Sequence, residues 1–307
     1  MQNLSELVVF VVASIEFFLG SWVNGFIVLL HCITWVRNKK ISFSDFIILN
    51  LALSRIILQG IPMVGVVLMV FYPHLHHRGL YVKILDIFWL FTNNLSICLT
   101  TCLSVFYCLK IATFSNQAFL WLKWRVFHVV VWILVGSVLY SFTILTLILK
   151  YHISSDMSQM KLSVNYTEEV KRIKTHYYIL NFLGTLWSIL PLSWSLVSSV
   201  LLILSLVRHT RQMKHHSIGT RDLSTMAHVR ATKVILSSLI LFIGYHLAFF
   251  LAMSTYFFLT TKMSEMIWSP IFVIYPSIQT FTLILENQKL KQAFFRMFQI
   301  KKWRPKC

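Results

Sequence analysis

The chain has 307 residues, of which 57% are hydrophobic and 12% are charged, and its mean hydropathy is +0.71. A soluble domain carries about a quarter charged residues, so this composition excludes an ordinary soluble fold. The net charge of +18 has the sign that nucleic-acid binding needs. The placement of the basic residues, described below, argues against a nucleic-acid partner.

Seven apolar stretches follow one another, each near or above the roughly 20 residues that a membrane helix needs. In lipid each span must satisfy its own backbone hydrogen bonds, which favours helices. The connecting segments are mostly short and leave no room for a separate soluble domain. We therefore predict one all-α domain over residues 1–307, a seven-transmembrane helix bundle with spans at 7–34, 43–72, 81–109, 126–149, 179–207, 231–260 and 266–286.

The distribution of Lys and Arg predicts the orientation of this bundle. If the N-terminus is outside, most Lys and Arg residues fall in the three inner loops and the C-terminal segment, which is the positive-inside pattern. The longest outer loop is then 150–178, and it contains Asn165-Tyr166-Thr167, an acceptor for an N-linked glycan. We therefore expect a multi-pass protein of the plasma membrane, with a cytoplasmic C-terminus and a glycan on Asn165.

The sequence lacks the patterns typical of enzymes and metal centres. It contains no His-Glu-x-x-His and no phosphate-binding Gly-rich loop. The pair His215-His216 has no third ligand nearby in the sequence. We expect no catalytic residue, no cofactor and no metal. A transporter or channel is the alternative from another class, but the sequence shows neither a repeat between its halves nor paired Gly/Pro interruptions.

Arg55 is a charged residue about a dozen positions into the second predicted span. A charge at mid-bilayer costs at least about 2.5–3.5 kcal/mol and usually faces the bundle interior. We expect Arg55 to lie there, with Asn24 of the first span and Gln279 or Thr280 of the seventh as candidate partners. A bundle held by a few buried polar contacts can have two packings, as a switch requires.

Trp89 and Asn93 are four residues apart in the third span, so they share one helix face. Asn94 is rotated from Asn93 by about 100°. An aromatic face next to an amide suits a small, largely apolar ligand with one or two polar groups.

Short motifs stand in order along the spans and inner loops, among them Leu51-Ala52-Leu53-Ser54-Arg55, Phe106-Tyr107-Cys108-Leu109-Lys110, Phe119-Leu120-Trp121-Leu122-Lys123, Leu204-Ser205-Leu206 and Leu283-Ile284-Leu285. In order and spacing they resemble those of the type 2 taste receptors, the bitter receptors. The resemblance covers essentially the whole chain. It departs from the family pattern at Asn116-Gln117, at Gln279-Thr280 and at Glu286.

The resemblance implies a G-protein-coupled receptor for small bitter agonists that signals through a gustducin-type heterotrimeric G protein. A pheromone-type chemoreceptor is the nearest related alternative. The resemblance implies a ligand pocket that includes Trp89 and Asn93, and it links helices 1, 2 and 7 through the polar residues around Arg55. Further pocket positions are Asn94, Trp187, Tyr245, Phe249, Ser269 and Phe272. The surface expected to face the G protein comprises Tyr107, Lys110, Lys123, Ser205, Leu206, Arg208, Lys214 and His228.

Overall fold

A computed structural model of the chain describes residues 4–72, 80–112, 114, 116–161, 175, 188–216, 223–255 and 261–298. Within these ranges the fold is all-α, as the composition predicts, and no strand occurs. The described helices are α1 (Leu4–Asn38), α2 (Phe43–Phe71), α3 (Leu80–Ile111), α4 (Gln117–Trp124), α5 (Val126–Lys161), α6 (Ile189–His216), α7 (Leu223–Thr255), α8 (Thr261–Glu286) and α9 (Gln288–Phe298).

Five of the described helices contain apolar stretches long enough to cross a membrane. They are Leu7–Asn38, Phe43–Phe71, Ile84–Ile111, Val126–Leu147 and Ile189–Arg208. The helices at the sixth and seventh predicted spans contain shorter apolar stretches, Leu236–Ala252 and Pro270–Glu286.

Several helix boundaries differ from the predicted spans, and two short helices were not predicted. α5 continues to Lys161 instead of ending at 149, and the described part of α6 begins at Ile189, while 176–187 lies outside the described residues. α4 and α9 begin at side-chain caps: the Asn116 Oδ1 accepts from Ala118 N at 2.9 Å, and the Asn287 Oδ1 accepts from Lys289 N at 3.0 Å. Asn is a strong residue for starting a helix.

α3 lies at the centre of the bundle and packs against α2, α5 and α6. α1 packs between α2 and α8, and α7 packs between α6 and α8. The largest buried cluster joins α1, α2, α3, α5 and α8, and it includes Ile27, Leu51, Cys102, Val130 and Ile284. Large apolar side chains also cover the outer surface, which is the expected surface for a protein in lipid.

The inner face of α1 comes very close to α2 and α8 at Gly20. The amide of Gln59, which is fully buried, donates from Nε2 to Ser277 Oγ at 2.7 Å and lies 3.5 Å from the Val273 carbonyl. A Cβ atom on Gly20 would overlap the Gln59 amide and the Ser277 hydroxyl. Gly20 therefore leaves the space through which α2 forms hydrogen bonds with α8.

Replacing Gly20 with Ala is expected to destabilise the bundle, because the new methyl group displaces the buried Gln59 amide. An unsatisfied buried amide costs about 1–3 kcal/mol. The matched control is Gly25→Ala on the same helix, where a Cβ atom meets nothing within 4 Å. The melting temperature in detergent should fall for Gly20→Ala and stay at or above wild type for Gly25→Ala. Equal melting temperatures for the two variants would contradict the close approach.

Candidate functional site

The guanidinium of Arg55 lies at the meeting point of α2, α3 and α8 and is 1% exposed. Its Nη1 donates to Thr280 Oγ1 at 2.8 Å. Its Nη2 donates to Gln279 Oε1 at 2.5 Å and to Thr100 Oγ1 at 3.3 Å. Arg suits this position because its planar group carries several donors in a rigid fork, so one side chain can bond to partners on different helices.

The Thr280 hydroxyl extends these contacts to α1. Its oxygen accepts from Arg55 and lies 2.9 Å from Asn24 Oδ1 and 2.7 Å from the Pro276 carbonyl. A hydroxyl has one hydrogen, so it donates to one of these two oxygens at a time. Asn24 is itself fully buried and donates to the Gly20 carbonyl at 2.9 Å. We call Asn24, Arg55, Thr100, Gln279 and Thr280 the polar network.

Helix α3 is joined to α7 by a buried hydrogen bond in which the Tyr245 hydroxyl donates to Asn93 Oδ1 at 2.5 Å. Asn93 is 2% exposed and Tyr245 is 4% exposed. The Tyr245 ring stacks on Tyr275 of α8 with centroids 4.1 Å apart. Among the described residues no hydrogen bond involves the Asn93 amide nitrogen, so this donor is available to another molecule.

Trp89 lies one turn before Asn93 on α3 and makes further contacts with α7 and α8. Its ring centroid lies 5.6 Å from Phe249 and 5.5 Å from Phe272. Trp89 and Asn93 are one turn apart and lie on the same face of α3. Tyr245 and Phe249 are likewise one turn apart on one face of α7. We call Trp89, Asn93, Tyr245, Phe249, Phe272 and Tyr275 the aromatic cluster.

The structure describes the other predicted pocket positions less fully. Asn94 is half-buried, and its Nδ2 has no hydrogen-bond partner among the described residues. Ser269 belongs to α8, but its side chain is outside the described part of the chain. Trp187 lies outside the described residues altogether.

A polar cavity of about 590 Å³, counting the space at its open mouth, extends from Arg55 towards the ends of α3 and α8. Helices α2, α3, α6, α7 and α8 all contribute to its wall. Hydroxyl groups dominate the polar part of this wall, and one basic and one acidic side chain face the same space. The polar lining residues are Arg55, Thr100, Ser104, Tyr107, Ser195, Ser199, Ser238, Gln279 and Glu286.

Comparison with known proteins gives one consistent result. The model of the taste receptor protein (TAS2R) family matches residues 1–302. The chain belongs to the taste receptor (TAS2R) family. It is 46% identical over 299 residues to taste receptor type 2 member 3 of Papio hamadryas and 45% identical over 300 residues to that of Homo sapiens, covering 97% of this chain and 95% of each relative. It is 44% identical over 291 residues to that of Mus musculus, covering 94% of this chain and 92% of the relative.

Family membership confirms the prediction of a bitter taste receptor of the G-protein-coupled class. It implies the seven-transmembrane fold of such receptors and a multi-pass membrane protein. The chain is not an enzyme. The transporter, channel and pheromone-type alternatives are therefore set aside.

Several residues that sequence reasoning assigned to the G-protein surface lie around the ends of α3 and α4 in this receptor. Tyr107 is half-buried and lines the polar cavity. Lys110 is exposed, and its Nζ lies 5.4 Å from the centroid of the Phe106 ring. Lys123 is half-buried and donates from Nζ to the Ala112 carbonyl at 3.0 Å, which fixes α4 against the end of α3.

The residues of α6 assigned to this surface divide into buried and exposed positions. Ser205 and Leu206 are each 7% exposed, and Leu206 packs in a cluster with Leu109 and Phe119. They therefore lie inside the bundle in this conformation. Arg208 is exposed. Lys214 in α6 and His228 in α7 have backbone positions, but their side chains are outside the described part.

Sequence reasoning missed four residues that take part in the buried contacts: Gln59, Thr100, Tyr275 and Ser277. Gln59 could have been found, because it follows Arg55 by four residues and so shares its helix face. Tyr275 likewise precedes Gln279 by four residues on α8. Thr100 and Ser277 carry no comparable signal, since short hydroxyl side chains are common on membrane helices and often bond to their own backbone.

Thr280→Val is expected to destabilise the receptor, because it keeps the side-chain shape while removing the hydroxyl that bonds to both Arg55 Nη1 and Asn24 Oδ1. The expected loss is about 1–3 kcal/mol. Thr282→Val is the matched control on the same helix, since the Thr282 hydroxyl bonds only to its own helix, at the Gln279 carbonyl 2.8 Å away. Thermal unfolding and surface level are the measurements. The role of Thr280 in the polar network would be refuted if the two variants behaved alike.

Proposed function

We propose that this receptor binds small bitter agonists at the aromatic cluster and transmits binding through the polar network to a gustducin-type heterotrimeric G protein at the polar cavity. The observation that carries this proposal is the Tyr245–Asn93 hydrogen bond, which uses the Asn93 oxygen and leaves its amide nitrogen one helical turn from the ring contacts of Trp89 with Phe249 and Phe272. Apolar walls with a few placed polar groups are typical of small-molecule sites.

The geometry of the cluster defines the agonist chemistry that fits it. The rings of Trp89, Phe249 and Phe272 lie within 5.5–5.7 Å of one another and offer faces and edges for an apolar body. The Asn93 oxygen is already engaged by Tyr245, so the amide nitrogen is available to a ligand acceptor. A flat apolar molecule with a carbonyl, ether or ring-nitrogen acceptor is the preferred class.

The aromatic cluster and the polar network are connected through two shared helices. Asn93 and Thr100 are two turns apart on α3, about 10 Å along the axis. Tyr275 and Gln279 are one turn apart on α8. A ligand that shifts either helix therefore changes the geometry of the Arg55 contacts. The ligand can act as an agonist only to the extent that it binds the two arrangements with different affinity.

The polar cavity has to widen before a partner can enter it. Two turns of α-helix, about 11 Å long and about 10 Å across, fill roughly 850 Å³. The cavity measures about 590 Å³ with its mouth included. The exposed basic residues Lys110 and Arg208 near this end are also suited to anionic lipid, with about 1 kcal/mol for each basic group. Lipid attraction and G-protein docking are compatible uses of the same charges.

We also propose that residues 1–307 form a single receptor domain with its N-terminus outside and its C-terminus in the cytosol. The charge distribution supports this orientation. The aromatic cluster then lies in the outer half, where an agonist from solvent arrives, and the polar cavity lies in the cytoplasmic half. Asn165 falls in the outer loop, although it lies outside the described residues.

Trp89→Ala and Asn93→Ala are expected to shift agonist potency by about tenfold or more, since about 1.4 kcal/mol is a factor of ten. Asn93→Ala should weaken acceptor-bearing agonists more than purely apolar ones, because it removes the amide donor. Concentration–response curves in calcium imaging, with two chemically unlike agonists from a bitter-compound library, measure both effects.

The matched control is Thr92→Val, next to Asn93 on α3, whose hydroxyl bonds to the Phe88 carbonyl of its own helix at 2.7 Å. It should leave potency near wild type. A loss that is uniform across agonists and follows the fall in surface level would mean that Trp89 and Asn93 only pack the bundle. That result would end the assignment of the ligand site.

The outer position of loop 150–178 is tested by its glycan. Asn165→Gln should abolish the mobility shift that glycosidase treatment produces, because Asn165 is the acceptor in this long loop. Thr167→Ala should do the same, since it destroys the acceptor triplet and keeps the asparagine. A wild-type shift that persists in both variants would contradict glycosylation at Asn165.

A further inference from the structure

Glu286 is an acidic residue that faces the polar cavity from the last position of α8. It is half-buried, and Arg55 and Tyr107 line the same space. An acidic side chain inside a membrane bundle is costly and is normally retained with a polar or charged partner. The aromatic cluster and the polar network, as described above, make no use of it.

A polar residue of the neighbouring helix α7, Ser238, lines the same cavity as Glu286. The Glu286 carboxylate interacts with the Ser238 hydroxyl, and it is attracted electrostatically by the Arg55 guanidinium across the cavity. Ser238 is half-buried and lines the cavity. The acid therefore forms a polar link between α7 and α8 at the end where the cavity opens.

Helix α7 forms one wall of the polar cavity, and the interaction between Ser238 and Glu286 affects its position. α7 packs mainly against α6 and α8, and it contributes Ser238, Leu239 and Phe242 to the cavity. α3, by contrast, is held from several sides by α2, α5 and α6. Separation of α7 from α8 would widen the cavity without disturbing the central helix, and it would break the Ser238–Glu286 contact.

We infer that Glu286 is a positioning residue that holds α7 against α8 and so sets how readily the polar cavity opens to the G protein. The inference rests on the proposed coupling function. A contact made only in the closed arrangement stabilises that arrangement, so its loss shifts the population towards the open one. The receptor should then signal more without agonist and respond to lower agonist concentrations.

The first test measures agonist-independent signalling per receptor at the cell surface. Glu286→Ala removes the charge and the acceptor, and it should raise basal signalling about twofold or more and lower the EC50 about threefold. Ser238→Ala should change both quantities in the same direction. Glu286→Gln keeps an acceptor for Ser238 but loses the charge, so its effect should lie between wild type and Glu286→Ala. Gln288→Ala, at an exposed neighbouring position, is the matched control.

The double variant Ser238→Ala/Glu286→Ala should signal no more strongly than Glu286→Ala alone, because the two residues act through one contact. A purely structural role would lower surface level and maximal response and leave basal signalling per receptor unchanged or reduced. That pattern, in both Glu286→Gln and Glu286→Ala, would overturn the inference.

A second measurement reads the cavity without any G protein. Ser199→Cys places a thiol on the α6 side of the cavity, where the serine is 7% exposed. A charged thiol reagent is applied to the cytosolic side of isolated membranes, and the labelling of receptors without the Ser199 change is subtracted as background. The remaining labelling should be at least threefold faster in Ser199→Cys/Glu286→Ala than in Ser199→Cys alone. Equal rates would overturn the inference even if signalling is normal. If Glu286→Ala speeds labelling but the wild-type receptor does not respond to agonist, the role of Glu286 in holding the cavity closed is supported. The proposed coupling function is then refuted.

Discussion

A single buried positive charge organises this receptor. Arg55 stands well inside a membrane span, where an unpaired charge is costly, and the surrounding helices supply neutral oxygen acceptors instead of a carboxylate within salt-bridge distance. Neutral acceptors are individually weaker than a carboxylate, so several are needed. Because no one helix can supply them all, α1, α2, α3 and α8 are drawn to the same point. The close approach at Gly20 and the Gln59–Ser277 bond lie next to this point and depend on the same packing.

The arrangement explains how a bundle of nearly uniform apolar helices can have two defined states. Apolar side chains pack against lipid or against each other with little directional preference, so they do not select one arrangement. Hydrogen bonds are directional, and an unsatisfied polar group in a low-dielectric interior is costly. The Arg55 contacts therefore favour discrete arrangements. Their place between the aromatic cluster and the polar cavity allows an event at one end of α3 and α8 to affect the other end.

The sequence was sufficient to predict the helical class, the family, the interior position of Arg55 and the shared face of Trp89 and Asn93. Depth in a span and spacing of four residues are local properties, and they can be counted along the chain. Side-chain partners on other helices cannot be predicted in this way, because a single sequence does not define how each helix is rotated about its axis. Thr100 and Ser277 were missed for that reason. Ser205 and Leu206, which were predicted to face the G protein, are each 7% exposed in this structure. The short helices α4 and α9 have asparagine caps but are too brief to give a clear apolar period.

The central claim is that one connected network couples α1 to α2 through α8. Asn24 and Arg55 share Thr280 as a partner. A double-mutant cycle with Asn24→Leu and Arg55→Met, measured by thermal unfolding of the purified receptor, tests this connection directly. The account predicts a coupling free energy above about 0.5 kcal/mol, because residues in one hydrogen-bond network do not behave additively. A control cycle of Asn24→Leu with Thr92→Val should be additive. Additivity within about 0.3–0.5 kcal/mol in the Asn24–Arg55 cycle would contradict the account.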